Sequence, residues 1–304
     1  MKTQFRRLPP ATRIRMEKAI SSIKADMARY GTRTLLEKEF HEAFEELKAR
    51  GDLSRVSYSR FEEFALQEMD IHREVIQRPL GYGRASNTVR FSFGKPTEYE
   101  LAASLRKDAY LSHATAVFLH GLNDEIPRTI FVNWEQTPKP RPHGGLTQDR
   151  LNYAFRRPQR ASNLIYKHDD VQMVVVNGKH TGKFGLSRVE VSPGAFVPVT
   201  DVERTLVDIV VRPGYAGGAG PILSAYRRAA AIASPKRILA VLKHLDYIYP
   251  YHQAIGFLLE RAGASQAETQ QFRERGLQFD FYLMHGMKSP DYDKSWRLYF
   301  PKGL

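Results

Sequence analysis

Apolar residues Ile14, Ala19, Ile20, Ile23 and Met27 recur at the three-and-four spacing of one helix face, which predicts an amphipathic helix from Pro10 to Tyr30 stopped by Gly31. A second such face, Leu36, Phe40, Phe44 and Leu47, predicts a helix from about Leu35 to Arg50, with Gly51 as its C-terminal cap and a turn beginning at Asp52. Leu53 to Phe61 fits either a strand or the approach to a third helix. We favour a helix from about Arg60 through Leu66, capped by Ser57 or Ser59. Residues Ile71 to Gln77 and Thr88 to Phe93 are rich in β-formers. They flank RPLGYGRAS, where Gly81 and Gly83 make a flexible turn carrying Arg78 and Arg84.

Three helices followed by a two-stranded basic hairpin is the order of a winged helix-turn-helix. Gly94-Lys95-Pro96 then punctuates the chain. Beyond it the pattern predicts helices over Glu98 to Asp108 and Ser112 to His120, and a buried strand over Thr129 to Trp134. Three prolines between Thr137 and Pro142 enforce a loop or extended arm. Short β-rich runs at Asn163 to His168, Gln172 to Asn177 and Arg188 to Val191 suggest a small antiparallel sheet. From Asp201 the pattern turns helical, in pieces near 201–211, 221–233, 235–245, 250–261 and 265–275, and Leu298 to Phe300 is expected as an edge strand. The expected architecture is α+β: an N-terminal winged helix-turn-helix over 1–94, then a larger mixed α/β domain over 95–304.

Charge sharpens this picture. Lysine and arginine number 46 against 33 acidic residues, a formal net charge of +13, so the field attracts polyanions, and double-stranded DNA is the natural partner. Arg55, Ser57, Tyr58, Ser59 and Arg60 mix groups suited to base edges with groups suited to phosphates at the start of the third helix. In the alternative register the second helix enters the groove with Lys38, His41, Glu45 and Lys48. It ranks second, because Glu37, Glu39, Glu42, Glu45 and Glu46 would repel phosphate. In either register Arg78, Arg84 and Asn87 of the wing face backbone or minor groove. A second basic stretch holds Lys139, Arg141, Arg150, Arg156, Arg157 and Arg160 against Asp149 alone, which extends the expected DNA contact to the larger domain.

With no cysteine, thiolate chemistry and disulfides are excluded. No apolar run approaches the roughly 18 residues of a membrane span. The basic start MKTQFRRLPP lacks an apolar stretch behind it, so a cytoplasmic location is expected. The acidic candidates for an enzyme are Asp169 with Asp170, Glu190, Asp201 with Glu203, and Asp208. Neither VEVSP around Glu190 nor DVERT around Glu203 supplies the lysine of a metal-dependent nuclease. The histidines, among them His113, His120, His143 and His168, lack tight metal spacing, and GYAGGAG at Gly214 to Gly220 lacks the lysine of a phosphate-binding loop. No catalytic residue, metal or cofactor is therefore expected. The rival is a nucleic-acid-processing enzyme built on Asp169, Asp170 and Glu190.

Four long strings stand out in the middle and end of the chain: YLSHATAVFLHGLNDEIPRTIFVNWEQ, LTQDRLNYAFRRPQRAS, VTDVERTLVDIVVRPGYAGG and YIYPYHQAIGFLLERAG. Together, over roughly residues 95 to 265, they resemble the AbiEi family of abortive-infection antitoxins; the N-terminal segment is similar in type more than in sequence. The resemblance implies an N-terminal winged helix-turn-helix joined to an antitoxin domain. It also implies autorepression at inverted repeats in the promoter, hence two copies on DNA, and a nucleotidyltransferase-type toxin opposed without a stable complex. The second rival is a protein-interaction module that neutralises a toxin by direct contact. In DVERTLVDIVVRP, Arg204 precedes Asp208 by four residues, a pair worth only about 0.2–0.5 kcal/mol on an exposed helix face. His113 and His120, seven apart, are expected as buried partners on one helix face.

Overall fold

A computed structural model describes residues 9–29, 33–51, 53–140 and 144–304. The helix stop expected at Gly31, the turn at Asp52, and Arg141 and His143 lie outside the described residues. The chain is a mixed α+β protein with eleven α-helices among the described residues. It divides into two compact units. The first extends to Lys107 and also takes in Ile165–Met173 and Glu190–Val197. The second comprises Asp108–Leu164, Val174–Val189 and Pro198–Leu304.

The first unit opens with α1 (Pro10–Arg29), β1 (Thr34–Leu36), α2 (Glu37–Ala49) and α3 (Tyr58–Glu68). Its core takes Ala19, Ile20, Ile23 and Met27 of α1 and Phe40 and Phe44 of α2 from the expected faces and adds Met16, Phe61 and Phe64, whereas Ile14, expected on the first face, is 63% exposed. Strand β1 is a departure from expectation. Residues read as the start of the second helix pair antiparallel with β3 (Arg84–Phe93), Leu35 opposite Phe91, and the ring of Phe40 stacks on Phe91 at 4.2 Å. The helix starts only where the Glu39 carboxylate accepts from the Leu36 amide at 2.8 Å.

Strand β2 (Ile71–Gly81) pairs antiparallel with β3 from Ile71 opposite Phe93 to Gly81 opposite Arg84, with a bulge between Pro79 and Gly81. RPLGYGRAS is thus strand almost throughout. Only Tyr82 and Gly83 turn, both left-handed at φ 49° and 73°, the backbone a two-residue hairpin loop demands. The bulge admits Pro79, which a regular ladder would exclude. On its other edge β2 pairs with β6 (Ile165–His168), Gln77 opposite Lys167, so the strands of this unit lie in the order β1-β3-β2-β6. A short helix α4 (Glu98–Ala103) follows the hairpin, its capping box made by Thr97 and Glu100.

In the second unit β4 (Tyr110–Leu111), α5 (His113–Leu119), β5 (Thr129–Glu135) and α6 (Gln148–Arg156) precede the second-unit portions of β7 (Val171–Gly178), β8 (Leu186–Ser192) and β9 (Ala195–Thr200). The chain changes units within each of those three strands. Strand order here is β7-β5-β4-β9-β8, with β4 parallel to β9 through Leu111 opposite Val199. Of the runs expected to form a small antiparallel sheet, those at 172–177 and 188–191 are β7 and β8 of this mixed order, and β9 and β4 are additions to the expected elements.

Helices α7 (Val202–Val211), α8 (Ala219–Ala229), α9 (Pro235–Leu245), α10 (Tyr251–Arg261) and α11 (Gln266–Arg273) carry the larger core. Helix α7 is buried on every side from Glu203 to Val210. A three-stranded sheet closes the chain, in the order β10 (Phe281–Tyr282), β12 (Leu298–Phe300), β11 (Asp291–Asp293). Strand β12, expected at an edge, is central, because β10 and β11 flank it and bury Phe281 and Leu298.

Candidate nucleic-acid interface

The start of α3 and the turn before it present Arg55, Ser59 and Arg60 to solvent. Ser57 Oγ accepts from the Arg60 amide at 3.4 Å, so this hydroxyl is committed to the helix cap. Tyr58 points inward, contrary to its assignment as a phosphate contact. Its ring packs 4.3 Å from His41 and 5.5 Å from Phe44, and its buried hydroxyl has no hydrogen-bond partner among the described residues. Burial, with the negative charge of Glu62 nearby, pushes the phenol up to about 12. Further along α3, Glu62 pairs with Arg73 at 3.6 Å and Glu68 with Arg13 at 3.1 Å. Among the described residues, cations without a carboxylate partner stand here at Arg55 and Arg60, at the start of this helix.

Helix α2 is different in kind. Lys38 pairs with Glu42, His41 and Lys48 approach Glu45, and Arg50 approaches Glu46, at 3.3 to 4.0 Å, so its basic groups are spent on a predominantly acidic face.

The β2–β3 hairpin carries exposed Arg84 and Asn87, while Arg78 is half-buried with its guanidinium 6.0 Å from the Tyr166 ring. Reasoning from polar residues alone misses the tip, where Tyr82 is 99% exposed beside an exposed Leu80. An aromatic residue between two glycines at a hairpin turn was the available signal.

In the second unit, Arg150, Arg156, Arg157 and Arg160 are all exposed. The first three belong to α6 and its end, a helix that shows in the sequence only as a basic stretch. Thr147 Oγ1 caps it by accepting from the Arg150 amide at 3.3 Å, and Leu151 and Phe155, four apart, are buried beneath it. It ends at Arg157, in extended backbone because Pro158 follows. The Arg157 guanidinium lies 4.0 Å from the centre of the Tyr153 ring. Arg150 also donates to the Gly145 carbonyl at 3.1 Å, and the Arg160 carbonyl accepts from the Tyr215 hydroxyl at 3.4 Å.

Of the acidic candidates, Glu190, Asp201, Glu203 and Asp208 have hydrogen-bond or ion-pair partners. Asp169 and Asp170 form the exposed turn between β6 and β7, and Glu190 accepts from the Gly194 amide at 2.8 Å in the β8–β9 turn. These three do not converge. Among the described residues the converging set is Glu98, His168 and Asp169, with ligand atoms within 4.8 Å of one another. His168 Nδ1 meets Glu98 at 2.8 Å and Nε2 meets Glu74 at 3.1 Å. Carboxylates only accept, so both contacts are satisfied when the ring carries two N–H groups. Burial works to lower the ring's pKa, but Glu98 and Glu74 outweigh it and raise it.

Asp201 caps α7 by accepting from the Arg204 amide at 2.7 Å, and Glu203 accepts from Arg237 at 3.2 Å. Arg204 Nε donates to Asp208 Oδ1 at 2.8 Å with the two side chains only 3% and 7% exposed. The pair that the spacing allows, which would contribute little on an exposed face, is buried. Arg204 Nη1 also donates to the Phe184 carbonyl at 2.9 Å. Burial pushes the Asp208 carboxyl up, and the Arg204 guanidinium pulls against that. His113 is buried beside Ser112 Oγ at 2.8 Å, and burial holds it neutral, with a pKa lowered to about 3; His120 donates to the Thr200 carbonyl at 2.6 Å. In the glycine cluster, Gly217 and Gly218 adopt positive φ at the entry to α8.

No family model matches the chain, and none of the curated proteins matches it. Among solved structures it is similar to the crystal structure of the RV2827C protein from Mycobacterium tuberculosis. The TM-score is 0.52 at 15% sequence identity, over 93% of this chain and 91% of that one. At such identity the likeness is one of fold. No helix among the described residues is long and apolar enough to cross a membrane.

Proposed function

We propose that the chain is a sequence-specific DNA-binding autorepressor whose first unit works as a winged helix-turn-helix. In this reading α2 and α3 are the helix pair, α3 enters the major groove, and the β2–β3 hairpin is the wing. The observation that carries it is a contrast between adjacent helices. Exposed Arg55 and Arg60, with Ser59 between them, have no carboxylate partner among the described residues at the start of α3, while the face of α2 is acidic and internally paired. Arg84 and Asn87 on the hairpin supply backbone or minor-groove contacts, with Arg78 beside them. Function is binding without chemistry, in the cytoplasm, with two copies on an inverted repeat in the chain's own promoter. The resemblance of residues 95–265 to AbiEi antitoxins supports a further role, opposing a nucleotidyltransferase-type toxin without a stable complex.

The test is binding of the full chain to DNA from its own upstream region against scrambled DNA of equal length, over a salt series. Wild type is expected to prefer the upstream fragment. Arg60→Ala with Arg84→Ala is expected to weaken binding and to flatten the salt dependence by about one unit of slope for each phosphate no longer neutralised. Absence of preference at every salt concentration sinks the repressor reading and leaves direct toxin contact as its successor.

A further inference from the structure

The second unit carries a basic surface whose make-up differs from that of the first. Four exposed guanidiniums, Arg150, Arg156, Arg157 and Arg160, line α6 and the extended segment after it, and among the described residues none is paired with a carboxylate. Asp149 is the one acidic side chain on the outer face of α6. In their midst Tyr153 is 61% exposed, its ring stacked by Arg157 at 4.0 Å. Leu151 and Phe155 hold the helix to the core, so the outward direction of Tyr153 is fixed by packing. The segment beyond Pro158 is fixed too: Gln159 Oε1 accepts from the Gly214 amide at 3.0 Å, and Ser162 Oγ donates to the Val175 carbonyl. From Arg150 to Arg160 the track is at most roughly 20 Å long, seven helical rises followed by three extended ones.

Arginines alone fit the phosphates of any nucleic acid. An exposed aromatic ring fits something more particular. In a duplex both faces of each base are already stacked, whereas an unpaired base has a free face that a tyrosine ring can cover. Pre-stacking of Arg157 on Tyr153 holds a phosphate-binding group beside that ring. We propose that α6 and residues 157–160 bind single-stranded nucleic acid, with Tyr153 stacking on a base and Arg150, Arg156, Arg157 and Arg160 following the backbone. This adds a ligand class to the DNA-binding reading but uses a surface in a different unit, and so stands or falls separately from the promoter reading.

The experiment is fluorescence anisotropy of the full chain with labelled oligonucleotides of about a dozen nucleotides, as single-stranded DNA, single-stranded RNA and the corresponding duplex. Tyr153→Ala, Tyr153→Phe and the Arg60→Ala, Arg84→Ala variant run alongside. Tyr153→Ala is expected to weaken single-strand binding roughly tenfold or more while sparing the duplex, and Tyr153→Phe, which keeps the ring, to behave as wild type. The Arg60→Ala, Arg84→Ala variant is expected to keep single-strand binding even where it loses promoter DNA. The DNA and RNA arms identify which strand the surface accepts. The proposal is overturned if wild type fails to bind single strands, if Tyr153→Ala binds them as wild type does, or if Tyr153→Ala weakens single strand and duplex equally. Tyr153 is exposed, and an unchanged circular dichroism spectrum and thermal midpoint of each variant confirm that the comparison concerns the surface.

Discussion

Replacing Asp208 with alanine asks the structure for a number that differs sharply from what spacing alone gives. An exposed pair four residues apart on a helix contributes about 0.2–0.5 kcal/mol. Arg204 and Asp208 are 3% and 7% exposed, so alanine would strand a guanidinium in the interior of α7's surroundings. Breaking a buried pair in this way costs about 3–5 kcal/mol. The Phe184 carbonyl at 2.9 Å and Thr181 Oγ1 at 3.4 Å still accept from Nη1, which places the expected cost near the lower end, about 3 kcal/mol. That is a large share of a domain stability of about 5–15 kcal/mol. Urea unfolding followed through the fluorescence of Trp134 and the fully buried Trp296, both in the same unit, reads it directly. A paired Arg204→Leu, Asp208→Leu variant removes both charges and is expected to regain most of the loss. A cost below about 1 kcal/mol for Asp208→Ala, or a paired variant no more stable than the single one, would contradict a buried pair whose members depend on each other.

At Gly256 of α10 an added Cβ would lie 2.1 Å from Trp296 Cη2 and 2.4 Å from Cζ3. That ring is held by its Nε1 donating to Glu260 at 2.7 Å and by Arg273 over its face at 3.9 Å. Alanine gains about 1 kcal/mol of helix propensity, but overpacking costs about 1–3 kcal/mol or more. Gly256→Ala should therefore lower the urea midpoint, and a midpoint at or above wild type would show that the indole has room to move. For His168, the folded pKa is raised above the unfolded value of about 6.5. Its stabilisation is full below about pH 6.5 and is lost as pH rises through the folded value. The stability gap between wild type and His168→Ala should shrink from mildly acid to alkaline pH, and the ring should titrate above about 6.5 by NMR; a gap that widens with pH contradicts the bridge.

The long periodic elements were legible in the sequence. Phe40, Phe44 and Leu47 sit where their spacing places them, and α7 to α11 follow the predicted pieces. What escaped notice was short or polar. Strand β1 has three residues and β4 two, too few for a period to show, and α6 has only Leu151 and Phe155 against a charged background. RPLGYGRAS reads as a loop because glycine and proline are usually breakers, yet a bulge and a two-residue turn let both serve within a ladder. Tyr58 looks like a surface hydroxyl beside Arg55 and Arg60, but its ring is one of several aromatics between α2 and α3. Charge misleads in α7, where Arg204 and Asp208 suggest solvent; the apolar residues on all sides of VERTLVDIVV are the better guide. The meeting of Glu74, Glu98 and His168 has no sequence signal, since 24 and 70 residues separate them along the chain.

Because the first unit is completed by Ile165–Met173 and Glu190–Val197, it cannot be excised with a single cut. A fragment ending near Lys107 would lack β6 and leave the edge of β2 around Gln77 open, a row of unsatisfied backbone groups inviting association with another chain. Truncations meant to separate two activities would report on that exposed edge instead. For the same reason, a fusion or exchange that treats either unit as one continuous stretch of sequence would carry only part of it.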